Sequence, residues 1–248
     1  MIWWKILLCI LFGYFVGGIN PAYIIGRLRG FDIRKKGSGN AGASNAFILM
    51  GKAVGVFSAL FDIMKAAAVM WLAPVIFGDI RFIAEIAGAS CMIGHMYPAV
   101  MKFKGGKGLA TLGGVLLAID WRLFIILVSM EFILLLLIDY ICIVPLTGGV
   151  IMPLAYGICG SGGLDILLRG SGGWIGAAIL LVPYIGMFTR HIPNIKRIAA
   201  GTELHFSYMW SKDKDKDLDH VHFQTVADDV PQESAEAEEQ NTKGEQEP

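Results

Sequence analysis

The sequence predicts an all-α protein that spans a membrane about seven times and ends in a disordered acidic tail. Three observations carry that expectation. Of the 248 residues 55% are hydrophobic and 17% charged, with a mean hydropathy of +0.58. An ordinary soluble domain is about 45–50% apolar and about 25% charged. The apolar residues gather into seven stretches, and the charges separate along the chain. Residues 1–203 hold 17 Lys and Arg against 9 Asp and Glu, whereas residues 204–248 hold 4 against 12. The net charge of 0 therefore conceals a basic body and an acidic tail.

A membrane-spanning helix needs about 20 mostly apolar residues. The candidate spans are 3–27, 53–77, 82–101, 108–119, 123–138, 141–160 and 173–189. The first carries one lysine and no A-x-A-like cleavage site, so a retained helix is expected rather than a signal peptide. The fourth is short and rich in glycine, which suits a half-buried or re-entrant segment. Cys9, Cys91, Cys142 and Cys159 all sit in apolar surroundings without ligand spacing, and read as small buried hydrophobes.

Basic residues mark the cytoplasmic side. Arg27, Arg29, Arg34, Lys35, Lys36 and Lys52 follow span 1, Lys102, Lys104 and Lys107 follow span 3, and Arg190, Lys196 and Arg197 follow span 7. The opposite loops hold only Arg81, Arg122 and Arg169. This alternation fits seven spans in a bacterial inner membrane, with the N-terminus outside and the C-terminus in the cytoplasm. The expected domains are 1–206, transmembrane, and 207–248, where charge runs such as 212–219 leave too little apolar surface to offset chain entropy. His205, His220 and His222 lie in or beside that tail, where solvation favours free side chains over a metal site.

Three loops on the basic side are rich in glycine and in anion-binding groups. The first is Gly37-Ser38-Gly39-Asn40-Ala41-Gly42-Ala43-Ser44-Asn45. It matches G-x-G-x-x-G, but a dinucleotide fingerprint needs a preceding strand and a later acidic residue. A basic turn precedes this loop and an apolar span follows it. Its glycines and short polar side chains suit an anion at the start of span 2. The second loop runs from His95 to Pro98 and on through Lys102, Phe103, Lys104, Gly105, Gly106, Lys107 and Gly108 to Thr111. It lacks the spacing of a P-loop, yet a Gly-Gly turn between lysines, leading into a helix, is an anion cradle. The third runs from Arg190 and His191 through Pro193, Asn194 and Arg197 to Gly201 and Glu203. His191 and Asn194 share a helical face if Pro193 begins a turn, and His191 can also be read as the cap of span 7. Within the spans, Asp62 and Lys65 are an i,i+3 pair, while Glu85 and Glu131 have no partner that the sequence names. Charges inside a membrane default to functional hypotheses.

Together the loops resemble the bacterial acyl-phosphate:glycerol-3-phosphate acyltransferase family, small seven-span enzymes of phospholipid synthesis. Ser38 to Asn45 is similar to its S-G-N-x-G-A-[TS]-N motif. Gly94, His95, Pro98 and Phe103 to Thr111 are similar to its second motif. Arg190, His191, Asn194, Ile195, Arg197, Gly201 and Glu203 are similar to its third, and Asp62 and Lys65 to its D-x-x-K. The resemblance covers about residues 5–206. It implies transfer of an acyl group from acyl-phosphate to the 1-hydroxyl of glycerol 3-phosphate, giving lysophosphatidate and phosphate. It implies no cofactor, no metal and no covalent acyl-enzyme. The expected partners are the two substrates, an enzyme that supplies acyl-phosphate, and membrane lipid, with no nucleic acid. By this resemblance Ser38, Lys107, His191 and Asn194 are the catalytic candidates, with the N–H groups of Gly105 and Gly106 assisting. Gly39, Asn40, Ser44, Asn45, Lys104, Gly105, Gly106, Gly108, Arg190 and Glu203 are the substrate-binding candidates.

The chain departs from the family pattern at Ile48 and Ile192, where the family has Arg, and at 140–145, where it has a Ser-rich stretch. Arg makes bidentate phosphate contacts that Ile cannot. A paralogue with another acceptor, or one without activity, is the alternative that these positions favour. A transporter is a further alternative, motivated by the intramembrane charges, but the glycine motifs show no internal repeat.

Overall fold

The computed structural model describes residues 2–158, 173–203 and 205–207. Nine α-helices occur among them: α1 Trp3–Gly18, α2 Pro21–Leu28, α3 Ala43–Met50, α4 Lys52–Phe77, α5 Ile83–Met96, α6 Leu109–Ile119, α7 Trp121–Ile138, α8 Ile143–Ile158 and α9 Gly173–Ala199. Short 3-10 turns at Ile33–Lys35 and Ala99–Met101 complete the regular structure, and no strand occurs among the described residues. The fold is all-α, and a helix occupies each of the seven apolar stretches.

Lengths separate these helices. At 1.5 Å per residue, α4 and α9 reach about 40 Å and α7 about 27 Å, against a hydrocarbon core of about 30 Å. These three are long and apolar enough to cross a membrane, and α1 with α2 makes a fourth if the bent pair is one span. Helices α6 and α8 are apolar but shorter. The expected first span, 3–27, is broken by 45° between α1 and α2. Asn20 and Pro21 cause the break. Pro21 opens α2, and the Asn20 side chain accepts a 2.8 Å hydrogen bond from the Tyr23 N–H, as an N-cap does. The expected third span, 82–101, stops as a helix at Met96. Pro98 disfavours helical backbone at Tyr97, and the chain leaves the helix there (φ −129°, ψ 55°).

Helix α1 packs on α5, α4 on α6, and α9 on α8 and α5. The α1–α5 contact is a near meeting of backbones. A Cβ at Gly17 would strike the Cys91 carbonyl, and one at Gly94 the Tyr14 carbonyl, the small-residue packing that membrane helices use. Met92, Met96, Val115, Leu180 and Met187 fill the main core. Leu60, Val75, Ile133, Leu137 and Val182 are among many large apolar residues left exposed, as lipid contact requires. Cys9, Cys91 and Cys142 are buried free thiols.

Beyond α9 the chain turns back onto the α7–α8 turn. Phe206 donates its N–H to the Asp139 carbonyl at 2.7 Å, and His205 Nδ1 lies 3.1 Å from Asp139 Oδ2. His205 also stacks on Tyr140 at 4.6 Å. The expected tail beyond Ser207, with His220 and His222, lies outside the described residues, as do Cys159 and Arg169.

Candidate active site

The first loop is organised by one side chain. Asn45 is 1% exposed, and its Oδ1 accepts the Ser38 N–H at 3.0 Å. Its Nδ2 shares two N–H groups among the carbonyls of Ile33, Lys36 and Asn40 at 2.9–3.0 Å. Asn45 was expected to bind substrate, but its amide is committed to holding the loop. Asn20 adds a second tie, donating to the Ala41 carbonyl at 2.8 Å. Ser38, Gly39 and Ser44 remain exposed, and Asn40 and Ile48 are half-buried. The loop opens α3 rather than the long α4, since Gly51 (φ +95°) separates the two helices.

Arg34 joins this loop to the second. It forms a fork with Asp32, with Nε to Oδ1 at 2.9 Å and Nη2 to Oδ2 at 2.7 Å, and donates Nη1 to the Met101 carbonyl at 2.6 Å. The Arg34 side chain holds the Asp32 carboxyl down to about 2.

The second loop folds under the end of α5. Gly105 N–H donates to Met96 O and Gly106 N–H to His95 O, both at 3.1 Å. These two N–H groups were expected to assist at a phosphate, but they are already paired. The donors that remain belong to the first turn of α6, which Gly108 caps and whose N–H groups have no intrahelical acceptor. A Cβ at Gly106 would collide with the His95 ring, so only glycine brings the backbone this close. Lys102 and Lys104 are exposed, while Lys107 is half-buried.

The third group lies on and beyond α9. Lys107 Nζ donates to Asn194 Oδ1 at 2.6 Å. Asn194 Nδ2 donates to Glu203 Oε1 at 2.5 Å, and Arg197 Nε to Glu203 Oε2 at 2.7 Å. Four residues, from the second loop, from α9 and from the segment after it, thus form one chain of charge-assisted hydrogen bonds. Burial pushes the Lys107 ammonium down to about 8, helped by the nearby Arg197 charge. Glu203 was expected to bind substrate. Its two oxygens hold Asn194 and Arg197. Arg190 Nη2 donates to Gly105 O at 2.8 Å, while its buried Nε has no partner among the described residues.

Helix α9 runs through Pro193 without ending, so Pro193 begins no new turn and His191 caps nothing. His191 and Asn194 do share a face, and both are buried. The Met187 carbonyl lies 2.8 Å from His191 Nδ1. A carbonyl only accepts, so Nδ1 carries the proton and a neutral ring leaves Nε2 as an acceptor. Ile192 lies on the exposed side of α9.

Beneath the loops sits a closed polar cluster. Lys65 Nζ lies 2.6 Å from Asp62 Oδ1 and 3.1 Å from His95 Nδ1, and donates to the Ile19 carbonyl at 2.7 Å. Asp62 and Lys65 were legible as a pair. His95 as their third member and Ile19 as an acceptor were not, because His95 comes from α5 and Ile19 from the break between α1 and α2. The two remaining intramembrane acids also find partners across helices. Tyr156 OH donates to Glu85 Oε1 at 2.6 Å, and Thr147 Oγ1 to Glu131 Oε2 at 2.7 Å. The contacts therefore unite Lys107, Arg190, Asn194, Arg197 and Glu203 with Gly105. Ser38, Gly39, Asn40 and Ser44 belong to the first loop, which meets the second through Arg34.

Residues 7–201 match the family described as glycerol-3-phosphate acyltransferase. A glycerol-3-phosphate acyltransferase of Macrococcus caseolyticus is 36% identical over 80% of this chain and 96% of its own length. One from Thermotoga petrophila is 34% identical over 81% and 95%. The crystal structure of PlsY, an integral membrane glycerol 3-phosphate acyltransferase, in its glycerol 3-phosphate form, superposes with a TM-score of 0.67 at 28% identity. That likeness covers 81% of this chain and 95% of the other. The lysophosphatidic acid form of the same enzyme gives the same TM-score, 0.67.

Proposed function

The chain belongs to the glycerol-3-phosphate acyltransferase family, and from that premise we propose that its acyl donor is an acyl-phosphate whose phosphate is received at Lys107. It is an integral membrane protein that acylates glycerol 3-phosphate in phospholipid synthesis. The observation that carries the donor reading is the hydrogen-bonded chain Lys107–Asn194–Glu203–Arg197, beside the uncommitted N–H groups of the first turn of α6. An ammonium and oriented N–H groups at one point suit a dianionic phosphate.

The donor is a mixed anhydride, so no nucleophilic side chain is required. The C1 hydroxyl oxygen of glycerol 3-phosphate attacks the acyl carbon, the bond from that carbon to the phosphate oxygen breaks, and the hydroxyl proton leaves with the departing phosphate. Charge grows on that phosphate as the bond breaks, and Lys107 opposes it where it grows. Asn194 holds Lys107 in place, and Glu203 holds Asn194. His191 presents Nε2 to the attacking hydroxyl. Ser38, Gly39, Asn40 and Ser44 line the acceptor's side of the site, with Lys104 and Arg190 at its rim. The loops face the cytoplasm of a bacterial inner membrane, where an enzyme that makes acyl-phosphate supplies the donor.

Purified protein should be assayed with glycerol 3-phosphate and either acyl-phosphate or acyl-CoA. The reading expects lysophosphatidate from acyl-phosphate, with one phosphate released per ester, and little from acyl-CoA. Product from acyl-CoA alone would overturn it. For orientation, single cysteines at Ser44, Lys102 and Thr202, in a background without native cysteines, should resist an impermeant thiol reagent applied to intact cells. Labelling of two of the three would place the loops outside.

A further inference from the structure

Arg34 reads in the sequence as one more cytoplasmic basic residue, and its contacts do not fit that role. Its guanidinium is held in a fork by Asp32 and lies over the Tyr23 ring, 4.8 Å from the ring centre. Asp32 also accepts the Arg34 N–H at 3.0 Å, closing a two-residue turn that fixes the side chain. The one guanidinium nitrogen outside the fork, Nη1, reaches across 67 residues to the Met101 carbonyl at 2.6 Å. The Met101 side chain is 1% exposed and packs with Ala22, Ile33, Ala41, Ala46 and Met50. Those five residues lie in α2, the 3-10 turn at Ile33–Lys35, the first loop and α3. The second loop is therefore pinned at Met101 twice, by its carbonyl on Arg34 and by its side chain beneath the first loop, with a longer contact of 3.5 Å from the same Nη1 to the Lys104 carbonyl. Lys102 follows in a left-handed conformation (φ +54°), as does Phe103 (φ +59°), so the chain turns sharply away from the pin towards Gly105.

We infer that Arg34, held by Asp32 and seated on Met101, is a positioning residue that sets the distance between the acceptor's loop and the donor's loop. This rests on the proposed assignment of the two substrates to those loops. Arg34 touches neither substrate in this account. It acts through the Met101 carbonyl, and its contribution appears in the step where the two substrates must meet. A Lys at position 34 keeps the charge but cannot both fill the Asp32 fork and reach Met101, because it lacks the planar set of donors.

The test is steady-state kinetics of the purified full chain, varying donor and acceptor separately, for Arg34→Lys, Asp32→Asn and Met101→Leu. Misplacing reacting groups by about 1 Å costs up to about a hundredfold in rate. For Arg34→Lys a fall in kcat of about tenfold to a hundredfold is expected, with each KM within about threefold of wild type. Asp32→Asn should give the same pattern, and the double variant should be no worse than either single one, since all three lose the same strap. Met101→Leu keeps the apolar plug and the carbonyl and should retain near-normal kcat. If Arg34→Lys fails to fold, as judged by gel filtration in detergent, Asp32→Asn carries the test alone. A rise in one KM with unchanged kcat would make Arg34 a ligand and overturn the inference, as would wild-type kinetics. If the wild type uses a donor other than acyl-phosphate, the donor reading fails, but the kcat pattern can still be read with the donor that works.

Discussion

The Asp62–Lys65–His95 cluster and the Lys107–Asn194–Glu203–Arg197 chain are both built from charged groups packed among apolar helices, and they are finished differently. In the first, all three residues are 2–6% exposed, and the ammonium touches a carboxylate, an imidazole and a backbone carbonyl. In the second, Lys107 is only half-buried, and outside that chain the nearby Arg190 Nε has no partner among the described residues. A closed network in a low-dielectric interior fixes shape, because every member has a partner that a ligand would have to displace. A network left open at one end fixes direction and leaves its terminal charge available. The difference predicts which residues unfold the protein when lost and which stop the reaction.

Four changes test that separation, from the largest expected effect to the smallest. Asp62→Ala leaves the Lys65 charge buried without its carboxylate. Breaking such a pair costs about 3–5 kcal/mol, so little monodisperse protein should be recovered in detergent, and its thermal midpoint should fall. Normal stability with lost activity would move this cluster into the working site. Gly106→Ala drives a methyl group into the His95 ring. Overpacking costs about 1–3 kcal/mol, and lysophosphatidate formation should fall by tenfold or so as Lys107 is displaced; an unchanged rate would show that the loop moves freely over His95.

The third change is pH. The Lys107 ammonium, lowered to about 8 by burial, is charged below that pH and neutral above it. Donor turnover should therefore be complete near pH 6–7 and decline as pH rises through about 8, with about a tenth of the molecules still charged near pH 9. Lys107→Arg, if it retains activity, should flatten the decline because guanidinium stays protonated. A rate that climbs through pH 8 in the wild type contradicts the sign. The smallest effect concerns residues 208–248. Their composition suits a segment outside the reaction, so their deletion should change the rate by less than about twofold, roughly 0.4 kcal/mol. A larger loss would tie the acidic segment to the basic loops.

The helices were legible because lipid imposes long apolar runs, and the three polar loops because glycine with lysine or asparagine is unusual between such runs. The break at Asn20-Pro21 was missed: an Asn-Pro pair marks a turn, but the apolar residues on either side joined it into a single stretch, 3–27. What could not be read was which polar groups satisfy each other. Asn45 looks like a ligand in the sequence and is the staple of its own loop. Glu203 looks like a substrate contact and holds Asn194. The Gly105 and Gly106 N–H groups look free and are paired with α5 carbonyls. His95 joins Asp62 and Lys65, and Arg34 joins Met101, only because α4, α5 and the two loops pack together. Sequence spacing carries residue type and helical face; it does not carry pairing between distant segments.

The most direct test of the open network compares Lys107→Ala with Lys102→Ala. Both variants lose one positive charge from the same loop, but Lys102 is exposed and Lys107 is anchored on Asn194. A hydrogen bond to a charged group is worth about 1.5–3 kcal/mol. Lys107→Ala should therefore lower kcat/KM for acyl-phosphate by about ten- to a hundredfold or more, with its thermal midpoint near that of wild type, while Lys102→Ala stays close to wild type. Equal losses would mean that the loop attracts substrate by bulk charge, and an active Lys107→Ala variant would mean that this ammonium does not receive the phosphate.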